Sequence, residues 1–239
     1  MTTPPARHDL LWLLPGAAAA LAGPLRAAGN AADADVIEPW LAQGRPVVLG
    51  RQPEGLDPRW WAAGLPLPPA QGKRRIALRV RRDWVARRAQ ALPLEQAAAA
   101  APPAWRGPLA ALQAQAGRIG LPLRVFGSLA WQRLTGMQYV QAGSDLDLLW
   151  HAGDAERCAA ACALLARWQA GCGIAVDGEL VFGADSAVSW REWQRATRHD
   201  DPRAQVLVKR FQGAALLPVC ALRRMMPALP AAAHEAPAC

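Results

Sequence analysis

The chain has 239 residues, 52% of them hydrophobic, with a formal net charge of +8 and a pI near 10.2. That apolar fraction excludes a disordered chain and supports one large packed unit or two smaller ones. The charge suits polyanions (nucleic acid, phosphorylated small molecules, acidic proteins, anionic membranes), or serves solubility alone.

The start, RHDLLWLLPGAAAALAG, has the basic residue and apolar run of a secretion signal, but Asp9 borders the run and Pro15 interrupts it. It reads as a buried N-terminal segment, and no stretch has transmembrane length. Residues 46–50, PVVLG, predict a short strand. Residues 75–81, RIALRVR, alternate cleanly, with Ile76, Leu78 and Val80 on one face and Arg75, Arg79 and Arg81 on the other. The basic face suits either phosphate contact or a solvated edge that resists aggregation. Residues 93–108 mix an alanine run with prolines and predict a linker, which divides the chain into domains at 1–95 and 105–235.

The second half is more strongly patterned. Helices are expected over Leu109–Gly117 and over Leu129–Leu134, the latter stopping near Gly136. Another runs from a cap at Asp154 to about Ala170, with Gly171 beyond its end. Ser189 and Glu192 have capping-box spacing at the start of a further helix. Strands are expected over Leu123–Phe126, Ser144–Trp150, Gly173–Phe182 and Val206–Lys209. Alternating strands and helices imply an α/β or α+β architecture.

The five cysteines are odd in number and contain no Cys-x-x-Cys pair, so zinc and a disulfide framework are poorly supported. Cys158 and Cys162 share a helix face and read as small hydrophobes. A reducing cytoplasm fits this usage.

Chemistry concentrates in FGSLAWQRLTGMQYVQAGSDLDLLW, residues 126–150. Residues two apart on a strand point the same way, so Asp145 and Asp147 project together while Leu146 and Leu148 face the core. In GIAVDGELVF, Asp177 lies opposite Ile174 and Val176. If the two strands are neighbours, three carboxylates converge. At about 4 Å two carboxylates repel by roughly 4 kcal/mol at an effective dielectric near 20, so the group shares a proton or holds a cation. Oxygen ligands without His or Cys favour Mg²⁺ or Mn²⁺. Gly127 and Ser128, between a strand and a helix, present backbone N–H groups to a phosphate; alternatively they form an ordinary turn capped by Ser128. Asp177 followed by Gly178 also reads as a hairpin turn.

This order, a Gly-Ser turn, a carboxylate pair and a later third carboxylate, resembles the nucleotidyltransferase superfamily, with a longer Gly-Ser to Asp separation than is usual there. FGSLAWQRLTGMQYVQAGSDLDLLW, VDGELVF, SAVSWREW and VLVKR, together with RHDLLWL and LPLEQ, resemble the phosphoribosyl-dephospho-CoA transferases of malonate decarboxylase, its holo-acyl-carrier-protein synthases. The resemblance implies an α+β chain with a small N-terminal α/β domain and a C-terminal nucleotidyltransferase-like domain whose mixed sheet is flanked by helices. It implies transfer from triphosphoribosyl-dephospho-CoA to a serine of the apo acyl carrier subunit, with loss of pyrophosphate.

By that resemblance Asp145, Asp147 and Asp177 hold Mg²⁺ or Mn²⁺ and are catalytic, Asp177 taking a second metal or the serine's proton. Gly127 and Ser128 cradle the β- and γ-phosphates, and Lys209 and Arg133 contact the donor. Lys209 reads equally as a solvated strand residue. Trp131, Trp190 and Trp193 are candidates for stacking on adenine, although tryptophans at this spacing more often belong to a core. His151 and His199 receive no role. Arg79, Arg81, Arg82, Arg87 and Arg88 are candidates for meeting an acidic carrier. No nucleic-acid or membrane partner is expected. A nucleotidyltransferase with another acceptor (a citrate lyase carrier, a small molecule or RNA) and a non-catalytic nucleic-acid-binding module remain alternatives.

Overall fold

A computed structural model describes residues 4–199 and 201–227. Cys239 and the last part of the expected second domain, residues 228–235, lie outside the described residues.

The N-terminal unit comprises β1 (Leu10–Leu13), α1 (Ala17–Ala27), α2 (Ala31–Ala42), β2 (Val47–Leu49), β3 (Trp60–Pro66), β4 (Arg75–Arg81) and β5 (Val85–Ala89). Its strands form an antiparallel sheet in the order β4-β3-β2-β1-β5. β4 alternates as its sequence predicts: Ile76, Leu78 and Val80 are buried and the arginines between them are exposed. Only residues 82–84 separate the two edge strands β4 and β5. From Arg81 to Val85 the chain spans at most about 14 Å, whereas the edges of a flat five-stranded sheet lie about 19 Å apart. The sheet therefore curls toward closure. The apolar start of the chain supplies β1 and α1, whose Leu10, Leu11, Ala17 and Leu21 are buried in this core. Asp9 is buried beside them and accepts a hydrogen bond from Arg88 Nη1 at 2.6 Å.

The C-terminal unit runs through β6 (Leu92–Pro93), α3 (Leu94–Ala98), α4 (Pro103–Arg118), β7 (Arg124–Val125), α5 (Gly127–Thr135), β8 (Leu146–His151), α6 (Ala155–Cys172), β9 (Val176–Phe182), β10 (Ser186–Ser189), α7 (Trp190–Thr197), β11 (Gln205–Lys209), β12 (Ala214–Pro218) and α8 (Val219–Arg223). Its seven strands are ordered β12-β11-β10-β9-β8-β7-β6. All neighbours are antiparallel except β8 and β9, which are parallel. A parallel pair needs a long crossover, and the 18-residue α6 provides it. The fold is α+β, with the mixed sheet expected for the second half. Among the described residues, no helix is long and apolar enough to cross a membrane.

Three local expectations are corrected. Residues 93–108 are not a linker: Pro93 precedes α3, Pro103 takes the first turn of α4, and Leu94, Ala97 and Ala101 are buried in the C-terminal core. Proline in a first helical turn loses no hydrogen bond, so Pro103 starts α4 rather than breaking it, and the helix continues through Pro108. α6 is capped by Asp154, which accepts from the Arg157 N–H at 2.8 Å, but it runs through Gly171 and ends at Gly173 in the left-handed conformation. Ser189 makes no side-chain cap, and Glu192 turns away to accept the Leu207 N–H at 2.7 Å.

Gly178 sits where β9 crosses two indoles. A Cβ there would lie 2.8 Å from Trp150 and 3.0 Å from Trp190, both fully buried. Gly178→Ala is therefore expected to destabilise the fold by about 1–3 kcal/mol through overpacking. Urea unfolding monitored by tryptophan fluorescence measures it, and an unchanged midpoint would refute the packing argument.

Candidate active site

β8 and β9 are paired in register, with Asp147 directly opposite Asp177. Asp145 lies two residues before Asp147 on the same face. The three carboxylates present oxygens that all lie within 4.8 Å of one another. Between them Leu146, Leu148 and Val176 point to the opposite, buried side. Hydrophobic alternation thus fixes the register, and the register drives the acids together.

The Gly-Ser turn meets this cluster directly. Gly127 opens α5 with φ +65°, a left-handed conformation, and a Cβ built on it would lie 1.7 Å from Asp147 Oδ2. Only glycine lets the turn come so close. The Phe126 N–H donates to the Asp147 carbonyl at 3.1 Å. α5 is held from both sides: Leu129 and Ala130 enter the C-terminal core, while Trp131 enters the N-terminal core against Trp40 and Tyr139.

Asp147 is half-buried and its pKa is pushed up to about 7. Burial is the main cause, followed by the charges of Asp145 and Asp177, and the Ser128 N–H works against them. A cluster that resists full ionisation, built only of oxygen donors, fits a hard divalent cation. Below about pH 7 such an ion must displace the Asp147 proton, so Mg²⁺ affinity is expected to rise with pH up to about 7 and then level off. Calorimetric titration at pH 5.5, 6.5 and 8 measures this, and a constant affinity would rule it out.

Next along the same face of β9 stands Glu179, only 6% exposed. It takes Lys209 Nζ at 3.0 Å, pairs with Arg7, and lies 3.5 Å from His8 Nε2. Burial raises its pKa, but the His8 hydrogen bond and Arg7's charge and hydrogen bond outweigh that, so Glu179 stays ionised. His8 has its own pKa lowered by burial, against the pull of Glu179. Its backbone is left-handed at φ 71°, and its ring stacks 4.0 Å from that of Phe126, the residue before the turn. Arg7, His8 and Glu179 escaped sequence reasoning. Glu179 was within its reach, being two residues beyond Asp177 on the same strand face. Arg7 and His8 gave no local signal, since their partner is about 170 residues away.

The structure therefore brings Asp145, Asp147, Asp177, Gly127 and Ser128 together and sets Lys209 beside them through Glu179. Arg133 lies at the far end of α5, where its Nε donates to the Gln96 carbonyl at 3.1 Å. Trp131, Trp190 and Trp193 are all core residues. His151 is exposed at the end of β8, and His199 is also exposed. Of the arginines considered for carrier contact, Arg81 pairs with Asp83, Arg82 stacks on Trp61, Arg87 stacks on Trp12 and Arg88 pairs with Asp9.

Comparison with known proteins decides the family. Residues 92–219 match the family model described as the phosphoribosyl-dephospho-CoA transferase MdcG C-terminal domain, and residues 6–91 match the corresponding N-terminal domain. The chain belongs to the phosphoribosyl-dephospho-CoA transferase family. A phosphoribosyl-dephospho-CoA transferase of Xanthomonas campestris pv. campestris (strain 8004) is 42% identical over 216 residues, 90% of this chain and 95% of the relative. One from Bradyrhizobium diazoefficiens is 38% identical over 196 residues, 79% of this chain and 82% of the relative. No solved structure gives a significant match. This transferase thus belongs to the family its motifs resemble, and both of its halves are matched.

Proposed function

We propose that the chain attaches a phosphoribosyl-dephospho-CoA prosthetic group to a serine of the apo acyl carrier subunit of malonate decarboxylase. The donor is the triphosphoribosyl precursor, and pyrophosphate is released. The observation that carries this reading is the contact between Gly127 and Asp147, which joins a phosphate-binding turn to a carboxylate cluster.

The serine oxygen attacks the α-phosphorus, forming a P–O bond as the bond to the β-phosphate oxygen breaks. The serine proton leaves to solvent or to Asp177, an exposed member of the trio. Asp145, Asp147 and Asp177 would hold a divalent cation, Mg²⁺ or Mn²⁺, which would supply neutralisation of charge on phosphate oxygens. Gly127 and Ser128 place the start of α5 where the helix N-terminus favours the negative charge of the β- and γ-phosphates, while the Ser128 N–H itself is donated to Asp147. The Arg7–Glu179–Lys209 group adds a net positive charge beside the cluster and anchors the chain's start to the catalytic sheet. The described cysteines are all free, which fits work in a reducing cytoplasm. The +8 net charge favours encounter with an acidic carrier protein.

Purified protein with Mg²⁺ and the triphosphoribosyl donor is expected to increase the mass of the apo malonate decarboxylase carrier by one prosthetic group. Asp145→Asn is expected to abolish the increase while circular dichroism stays unchanged. Modification of a citrate lyase carrier instead would reassign the acceptor, and no modification of either would overturn the reading.

A further inference from the structure

A group of arginines lies beside the strand face of the aspartates. Three arginines, Arg87 on β5, Arg124 on β7 and Arg133 on α5, line one cavity of about 500 Å³ at the junction of the two units. Leu10, Trp12 and Leu134 contribute apolar wall, and no carboxylate lines the cavity. None of the three arginines makes an ion pair among the described residues. Arg124 donates one N–H to the Ala91 carbonyl at 2.7 Å, Arg133 donates one to Gln96, and Arg87 lies 3.3 Å over the Trp12 ring. Each guanidinium carries five N–H donors, of which these contacts use only one on Arg124 and one on Arg133, and Arg87 and Arg133 are exposed. Three cations lining one cavity without an acid suit a phosphate-bearing ligand.

The cavity adjoins a second one that borders the strand face of the aspartates. Arg124 and Gln90 also line a smaller cavity of about 250 Å³, whose walls include Leu149 and Glu179. Leu149 and Glu179 are each two residues beyond a catalytic aspartate, and Arg124 is paired with Leu149 across the sheet. One strand spacing and two residues separate Arg124 from Asp147, roughly 8 Å between Cα atoms. Arg124 thus stands within the length of one extended ligand of the Asp147–Gly127 turn.

We infer that Arg87, Arg124 and Arg133 form the subsite for the diphosphate of the donor's dephospho-CoA portion. This rests on the function proposed above. The donor carries two separate anionic groups, a triphosphate that reacts and a diphosphate that does not. The trio and its turn take the first, and the arginine cavity takes the second. Its apolar wall suits the adjoining pantetheine chain. Binding at a non-reacting group positions the triphosphate and adds affinity without touching the bond that breaks.

The test measures dephospho-CoA binding to the full chain by calorimetry without divalent cation, alongside steady-state transfer with the triphosphoribosyl donor. Arg124→Gln and Arg133→Gln are each expected to weaken dephospho-CoA binding and raise the donor KM about tenfold, with kcat and the carrier KM little changed. Arg124→Lys and Arg133→Lys should recover part of the loss. Asp147→Asn should leave dephospho-CoA affinity intact while abolishing transfer. If wild-type protein transfers the group but the arginine variants bind dephospho-CoA normally, the subsite is refuted and the function stands. If the variants raise only the carrier KM, the cavity docks the acidic carrier and the subsite is likewise refuted. If wild-type protein neither transfers the group nor binds dephospho-CoA, the function itself falls, and the subsite with it.

Discussion

Asp147→Asn is expected to abolish transfer and, at the same time, to make the metal-free protein more stable at alkaline pH. Both results come from one carboxylate. Asp147 is half-buried between Asp145 and Asp177, and its pKa is raised to about 7, above the usual 3.8. The folded state thus binds the Asp147 proton more tightly than the unfolded state does. That contribution to stability is complete below about pH 4, shrinks as pH rises, and is gone above about pH 7, where the ionised group is a net penalty. A rise of this size corresponds to about 4 kcal/mol, and solvent screening at a half-buried site reduces the penalty to a fraction of that. Asparagine removes the charge at nearly constant shape. In EDTA at pH 8 the variant should therefore melt at a higher temperature than wild type, and at pH 4 the two should melt alike.

Activity moves the other way. With one ligand of the divalent ion missing and the charge on the transferring phosphate less well neutralised, kcat/KM should fall about a thousandfold or more. Melting curves at the two pH values, with and without excess Mg²⁺, separate the effects, since Mg²⁺ should stabilise wild type far more than the variant. A variant no more stable than wild type at pH 8 would mean that the trio is not crowded, and full activity would mean that Asp147 holds no catalytic ion.

Gly127→Ala is expected to lower kcat/KM at least a hundredfold while leaving the protein folded. Two penalties meet at this position. Alanine at φ +65° costs about 1–2 kcal/mol, and its Cβ would overlap Asp147 Oδ2, 1.7 Å away. Either the carboxylate rotates out of the trio or the start of α5 moves away from the phosphates. A displacement of about 1 Å at a reacting centre is enough for a loss of this size. Ser128→Ala keeps the backbone N–H and should lose much less. Far-UV circular dichroism together with Mg²⁺ titration checks the mechanism, because the damage predicts weakened metal binding in an intact fold. Wild-type kinetics for Gly127→Ala would show that the closeness of turn and carboxylate has no catalytic role.

The residues proposed to carry this chemistry were legible because they obey short-range rules. Alternation in SDLDLLW puts Asp145 and Asp147 on one face and Leu146 and Leu148 on the other, whatever the rest of the chain does. Strand, glycine, serine and helix follow one another within a few residues, so the turn at Gly127 could be read locally. β4 was legible for the same reason. Where the reading failed, a nearby contact overrode a local preference. Glu192 was free to cap Ser189 but bonded Leu207 on another strand, and prolines that suggested a linker opened helices once Leu94 and Ala97 had a core to enter.

The sequence by itself determined which residues bear charge, which face of each strand they occupy, and the kind of reaction that three carboxylates and a Gly-Ser turn can serve. Only the tertiary structure decided that Asp177 stands opposite Asp147, that Glu179 is buried among Arg7, His8 and Lys209, and that three arginines from different elements share one cavity. The physical reason is range. Side-chain direction along a strand is set by neighbouring backbone geometry, whereas pairings across tens to hundreds of residues are set by how the two apolar cores pack, and packing leaves no periodic trace in the polar residues it brings together.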